Sequence, residues 1–457
     1  MNRATCPINL AFTHDTTLGV PRVIPNPFLL SGSFFWYNWR MSDIRLLTLP
    51  DLPRALEIRQ KAYPIFEGRT PESQQRSLER LAMQLEQSHL ALYGLFRDDE
   101  MAGVMKLFDF QMNFMGQTVP VGGLSGVAVD VIDKKKGVAR ELVEFCQRHY
   151  EERGYLFTAL YPFRPDFYRQ MGYGFGSKMY EYRVDPAGLR VNRSARQHLY
   201  HTTMAELDEL QACYQRLYQS THGLMAHSRY LFRDFHDHQD NHFLVYRPGT
   251  DVEGYLIYRF HKLSDDNFLR QEIHVREMMY EHPAALEAIL AFLQLQADQV
   301  EQVRFISQDP ALHYRFHDPR DAAQRVLPSV NHQIAAVGVG LMYRLTSVPN
   351  LLHSLRDHRF GRGKLTLQLE LEDNFMPEYD GTFMIRCEEG QIRAANNGAA
   401  DVKLRIQMAD FSAVLMGCTN LADLHRLGLV TLSDPTWLEL VDGLFRLPQP
   451  PICVTPF

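Results

Sequence analysis

VAVDVIDKKKGVAR, residues Val127 to Arg140, changes character twice within one short stretch. It opens as an apolar strand end, passes through a loop at Asp130 to Asp133, and enters a lysine run closed by Gly137. A helix is expected from Lys135 to Arg153, because Val138, Leu142, Cys146 and His149/Tyr150 fall on one face. Gly154 ends it as a left-handed cap. Upstream, the strand Thr118 to Val129 is broken by Gly122, Gly123 and Gly126, which signals a bulge or the close approach of a ligand. Free amides and the dipole at a helix N-terminus hold an anion without a dedicated side chain. Gly137 lets the backbone approach such a group, Ala139 is too small to obstruct it, and Lys134, Lys135 and Lys136 add charge. The plain alternative is a solvated basic run opening an ordinary helix. The glycine-broken strand immediately before it favours the anion site.

Working outward, the N-terminal side reads as a short strand from Ile44, a helix capped by Asp51 and running to Ala62, and a second helix Gln74 to Gln87. A hairpin follows, Ala91 to Arg97 and Met101 to Gln111. Beyond the main helix come a strand Leu156 to Tyr161, a short helix Pro165 to Met171, and Gly174 to Arg183 as the expected last strand of the first domain. Residues 191–345 repeat the theme: helix Glu206 to Thr221, strands at His242 to Tyr246, Glu253 to His261 and Glu272 to Met279, helix Pro283 to Val300, and strand Gln302 to Ile306. Here the third strand runs into MMYEHPAALEAIL with no glycine at the helix start, so this copy is read as lacking an anion site. From 346 onward, LTLQLELEDN, GTFMIRCEEG and VKLRIQM alternate with period two, and helices are expected at Phe411 to Met416, Leu421 to Leu427 and Trp437 to Phe445.

The 457 residues, 45% hydrophobic, suffice for two or three packed domains. A net charge of -6 argues against nucleic acid as the main partner. The six cysteines show no CxxC spacing, which excludes a thiolate metal knuckle and fits a reducing cytoplasm. Residues 1–40 are expected to be an extension outside the folded domains. Their apolar run Ile24 to Trp39 carries prolines and is too short to span a bilayer.

The combination GGLSGVAV, five residues, KKGVAR, then a helix, a strand and FYRQMGYG resembles the enhanced intracellular survival (Eis) family of GNAT N-acetyltransferases. The resemblance covers Met41 to Phe457. It implies an α/β fold with two tandem GNAT-like domains (41–190 and 191–345, the second degenerate) and an SCP2-like domain (346–457). It also implies acetyl-CoA as co-substrate, no metal, no membrane or nucleic-acid partner, and a hexameric homo-oligomer. In that pattern Val127, Ala128 and Val129 line the pantetheine, main-chain groups pairing with its amides like an added strand. Residues Lys135, Lys136, Gly137, Val138, Ala139 and Arg140 wrap the pyrophosphate, with Lys134 at its edge. Phe163 and Arg164 occupy further cofactor positions, where the family carries small and acidic side chains. Tyr168 matches the general acid, and the terminal carboxylate of Phe457 the general base.

The chemistry is coherent with elementary acidities. An amine near ~10 must lose its proton during attack, and an α-carboxyl near ~3.5 becomes a stronger base when buried. A phenol near ~10 suits a thiolate leaving group near ~8.5. No cysteine with a placed histidine points to an acyl-enzyme, so direct transfer to an amine is expected, the acceptor being an aminoglycoside, a polyamine or a protein lysine. Ser125 is a candidate for the acceptor side, and Glu370, Glu372 and Asp373 for an acidic lining. The histidines of FHDHQDNH (His236, His238, His242) have little metal-site geometry in their spacing. Competing readings are a hydrophobic-ligand carrier built on the C-terminal domain and a coenzyme A sensor without turnover.

Overall fold

The computed structural model describes residues 43–64, 70–203, 206–227, 240–267, 269–322, 325–395 and 398–457. The expected extension 1–40 and the candidates His236 and His238 lie outside them.

Three sheets carry the architecture. The first has six strands in the order β1 (Asp43–Leu46), β2 (Leu90–Arg97), β3 (Glu100–Phe114), β4 (Gln117–Val129), β5 (Phe157–Leu160) and β13 (Met342–Leu345). Helices α1 (Leu52–Ala62), α2 (Pro71–Leu85), α3 (Val138–Glu152) and α4 (Pro165–Gln170) belong to this part of the chain. The second sheet has seven strands, in order β12 (Ala336–Val339), β6 (Lys178–Val184), β11 (Gln302–Ser307), β10 (Gln271–Tyr280), β9 (Gly254–Lys262), β8 (His242–Tyr246) and β7 (Leu199–Thr202). Helices α5 (Leu207–Ser220) and α6 (Pro283–Leu295) accompany it. The third sheet orders β16 (Gln391–Ala394), β15 (Gly381–Glu388), β14 (Leu365–Glu372), β17 (Val402–Gln407) and β18 (Thr431–Leu432).

The first two sheets exchange strands. The segment expected to close the first domain, Gly174 to Arg183, instead supplies β6 to the second sheet, antiparallel to β11. The vacated edge of β5 is filled from far along the chain by β13, Met342 pairing with Leu160 and Leu345 with Phe157. Arg344 on β13 is fully buried and ion-paired with Asp373 just after β14, and it donates to the Met171 carbonyl at 3.0 Å. Gly172, at φ +80°, leaves room for it: a Cβ there would lie 1.5 Å from Arg344 Nη1. Asp373 also accepts from the Phe375 and Met376 amides at 3.0 and 3.2 Å. It is therefore consumed as a buried joint, not an acidic lining. Glu372 pairs with Arg405 and Glu370 accepts from Gln368, so neither is a free acidic lining. The largest apolar core runs continuously from Phe108, Phe110 and Phe157 of the first sheet to Leu367, Phe411 and Phe445 of the third domain.

Several helix starts differ from expectation. Asp51 does not cap α1. It forms a reciprocal box with Thr48, accepting from that residue's amide and hydroxyl at 2.8 Å, and is itself helical at φ -79°. Helix α2 begins earlier, at Pro71, because the Thr70 side chain accepts from the Ser73 amide. The C-terminal helices are Met408–Leu415, Leu421–Arg426 and Leu438–Phe445. Among the described residues, no helix is long and apolar enough to cross a membrane.

Candidate active site

Strands β4 and β5 run parallel and pair only over Val121–Gly123 and Phe157–Ala159. Beyond Gly123 the two part, while β4 stays joined to β3 through Ala128 and Val129. A register shift in β3 between Val104 and Lys106, with Gly126 at φ +59°, re-aims this end of β4. The opened gap leaves Val127 and Val129 half-buried beside it, and Ala128 buried on the opposite face. The Val127 carbonyl accepts from the Tyr63 hydroxyl at 2.5 Å.

The loop that follows is clamped at its base. Asp130, buried, accepts from Arg54 at 2.6 Å and lies 3.7 Å from Lys61, and it caps a short turn through the Ile132 amide. Burial alone would raise its carboxyl pKa. The Ile132 amide and the two cations outweigh burial and hold it below the usual range.

Helix α3 starts at Val138, not at Lys135 as expected. Lys135 and Gly137 both take positive φ, +64° and +86°, and the chain between them is a turn. Gly137 is the N-cap residue and no side chain caps the helix, so the first-turn amides face outward. Lys134, Lys135 and Lys136 are exposed around them, Lys136 reaching Asp133 at 3.0 Å. Val138 is buried and Ala139 half-buried. The Arg140 side chain turns away to the Phe375 carbonyl of the third domain, at 2.5 Å.

Tyr168 lies on α4 and is buried edge-on to Phe167 and to Tyr173, just past the helix, with centroids 5.2 and 6.0 Å away. Burial, with Tyr63 and Cys146 nearby, pushes its phenol well above the ordinary range, so it stays protonated at neutral pH. Phe163 is 71% exposed and stands edge-on to Tyr63 at 6.3 Å. Arg164 is exposed and paired with Asp166. Ser125 pairs with Lys106 on β3.

The chain end comes to the same gap. The Phe457 ring lies 5.8, 5.0 and 5.3 Å from Phe108, Phe110 and Tyr161. Phe108 is the β3 partner of Gly123, the last β4 residue before the strands part, and Tyr161 follows the end of β5. Extended residues hold the tail there through main-chain bonds. Ser177 donates to the Pro451 carbonyl at 2.5 Å and the Ile452 amide donates to the His222 carbonyl at 2.9 Å. The Cys453 amide donates to Gln308 at 2.6 Å, and Tyr161 donates to the Thr455 carbonyl at 3.1 Å. The Thr455 hydroxyl hydrogen-bonds His227 Nε2 at 2.5 Å, and that imidazole stacks on Tyr214 at 4.2 Å. Burial drives the His227 pKa down to about 3, so the ring is neutral. A cavity of about 660 Å³ borders the tail, lined by Phe457, Tyr161, Gln308, Met279 and the buried Glu277. Burial raises the Glu277 pKa to about 7, opposed by the hydrogen bond from Tyr255.

Tyr63, Tyr161, His227 and Gln308 escaped the sequence reading. None stands in a motif, and each acts on residues far along the chain. The one available signal was the tail itself, whose prolines and apolar residues ask for a docking surface.

Three stretches match known domain families: residues 43–176 an acetyltransferase (GNAT) domain, 223–345 a second acetyltransferase (GNAT) domain, and 353–454 a sterol carrier protein domain. The chain is 23% identical over 369 residues to the N-acetyltransferase Eis of Mycobacterium tuberculosis (strain ATCC 25177 / H37Ra), covering 77% of this chain and 84% of that protein. The counterpart from Mycobacterium bovis (strain BCG / Pasteur 1173P2) gives the same values. In fold, the chain is similar to a GCN5-related N-acetyltransferase from Anabaena variabilis, with TM-score 0.73 and 16% identity over 91% of this chain and 100% of that one. It is also similar to Eis1 from Mycobacterium abscessus, with TM-score 0.70 and 19% identity over the same shares.

Proposed function

We propose that this GNAT-type N-acetyltransferase, which carries two GNAT domains and a sterol carrier protein domain and is similar to the Eis enzymes, transfers acetyl from acetyl-CoA directly to an amine, using Phe457 as base and Tyr168 as acid. The observation that carries this reading is the convergence of the chain's last residue on the gap between β4 and β5.

In this scheme the amides of Val138, Ala139 and Arg140 hold the pyrophosphate at the uncapped start of α3, with the lysines neutralising its charge. Arg140 contributes through its main chain, since its side chain is engaged with Phe375. The pantetheine lies along Val127 to Val129 in the gap, adding to β4 as a strand would. Binding there exchanges the Tyr63 bond to Val127 for one to the ligand.

The acceptor nitrogen attacks the thioester carbonyl and loses its proton to the Phe457 carboxylate. The carbon–sulfur bond breaks, and the Tyr168 phenol gives its proton to the departing sulfur. One proton is taken and one given, so the overall reaction is neutral. Tyr168 is a weaker acid than a free phenol. The same apolar surroundings disfavour a bare thiolate and raise the sulfur's affinity for that proton. An aminoglycoside, a polyamine or a lysine side chain would each meet the requirement for an amine nucleophile.

Free-thiol release from acetyl-CoA across an amine panel tests the scheme. Amidating the Phe457 carboxyl should lower turnover by ~10²–10⁴, the span of a lost general base, while leaving acetyl-CoA affinity unchanged. Turnover within threefold of the parent would eliminate the terminal carboxylate as base. Tyr168→Phe keeps the packed ring and removes only the hydroxyl. A loss of ~10²-fold in kcat is expected, and an unaltered kcat would reassign the acid.

A further inference from the structure

On the second sheet, away from β4 and β5, two imidazoles converge on one carboxylate. His261 on β9 is the direct cross-strand partner of Glu272 on β10, and His274 lies two residues further along the same face. Glu272 Oε1 is 2.5 Å from His274 Nε2 and 3.4 Å from His261 Nδ1. The three ligand atoms all lie within 4.8 Å of one another. The two rings stack nearly parallel, at 4.6 Å and 11°.

We propose that His261 Nδ1, His274 Nε2 and Glu272 Oε1 form a binding site for a divalent transition-metal ion of the zinc class, separate from acyl transfer. Zinc sits about 2.0–2.2 Å from nitrogen and carboxylate ligands. Tetrahedral ligand atoms are then roughly 3.3–3.6 Å apart. The His261–Glu272 separation already falls in that range, and the His274–Glu272 contact, a hydrogen bond without the ion, would open by about 1 Å to admit it. Two histidines and one glutamate are a set this ion accepts, and three protein ligands leave a position open. Glu272 and His274 are 5% and 8% exposed, whereas the His261 side chain is 51% exposed, so the open position faces solvent.

The surroundings are arranged for ligation. Gln302 on β11 donates to the other Glu272 oxygen, fixing the carboxylate so that Oε1 faces the rings. Arg304, paired with His274 across β10 and β11, carries charge that a cation would resist, and it is turned to Glu181. Paired strands hold all three ligands, so little ordering is left for the ion to impose.

The test titrates Zn²⁺ into the full-length chain, stripped with a chelator, against a chromogenic competitor. One tight equivalent is expected, and His261→Ala and Glu272→Gln should each weaken it by ~10-fold or more. Co²⁺ should give the visible bands of a four- or five-coordinate ion in the parent and lose them in His261→Ala. His274→Ala removes a buried ligand and is open to misfolding, so the half-exposed His261 is the deciding variant. Undiminished Zn²⁺ affinity in His261→Ala, or no tight equivalent in the parent, would overturn the site.

Discussion

The chain contains two parallel strand pairs that begin alike and end differently. In the first domain β4 and β5 pair over Val121–Gly123 and then part, and in the second β10 and β11 pair over Glu272–His274 and then part. Each outgoing strand is followed by a helix, α3 or α6. The helix starts differ. At α3, Gly137 caps without a side chain, leaving amides outward. At α6, the His282 ring accepts from the Ala285 amide at 3.4 Å, Pro283 has no N–H to offer, and His282 Nε2 meets Glu253 at 2.6 Å. A pyrophosphate there would face one missing donor, one occupied donor and a nearby carboxylate. The gap in the second domain receives the chain's own tail instead, Cys453 bonding Gln308 just past β11. One topology therefore carries two different helix starts, and the difference rests on a few residues, not on the sheet.

The sharpest way to break this comparison is to damage the α3 start alone. In Gly137→Val a branched residue must hold φ +86°, at a cost of ~1–2 kcal/mol, and its side chain crowds the amides. Acetyl-CoA affinity should fall by ~5–30-fold at least, with the tail still docked. Isothermal titration should show one acetyl-CoA per parent chain and a weakened one in the variant. Two sites per parent chain would mean that the His282 and Pro283 start does not exclude the cofactor.

A second, smaller effect follows from acidity at the tail. His227 has an unfolded pKa near 6.5 and a folded value of about 3, so between these values the undocked state binds a proton that the docked state refuses. Tail docking is undisturbed above pH ~6.5 and weakens as pH falls below it, by up to ~1.4 kcal/mol per unit. Glu277 works in the opposite sense. Its folded pKa, about 7 against 4.5 unfolded, favours the fold at low pH, and that contribution is lost as pH rises through about 7. Acid loss of activity between pH 6.5 and 5 should therefore track release of Phe457, measured as susceptibility to a carboxypeptidase. His227→Gln should flatten that dependence; an unchanged profile would remove His227 from the docking.

These differences explain what the sequence disclosed. The strand, loop and helix around Gly137 were legible because the whole device lies within one local stretch. The helix start was placed too early because lysine favours helix, whereas the positive φ of Lys135 and Gly137 is set by the turn. Strands were legible at Gly174 to Arg183 and at Thr118 to Val129, but nothing local says which sheet a strand joins. The exchange of β6 for β13 was invisible for that reason. So was the pairing of Arg344 with Asp373, which turned a candidate lining residue into a joint. Likewise, the ligand set of His261, Glu272 and His274 exists only once the β9 and β10 register is fixed.

A last test asks whether the second domain's gap is a receptor for the tail or merely adjacent to it. Gln308 accepts the Cys453 amide in a buried setting, so Gln308→Ala leaves a main-chain donor without this acceptor at a cost of about 1–3 kcal/mol. That penalty falls on the tail's docked state, and the acyl-CoA site proposed on β4 and α3 does not share it. A receptor role predicts kcat lowered by ~10-fold, acetyl-CoA affinity within twofold of the parent, and faster carboxypeptidase removal of Phe457. Gln308→Glu restores an acceptor and should recover most of the turnover. If Gln308→Ala instead lowered thermal stability without changing kcat, the contact would belong to the fold alone, and the two strand gaps would differ only in what one of them has lost.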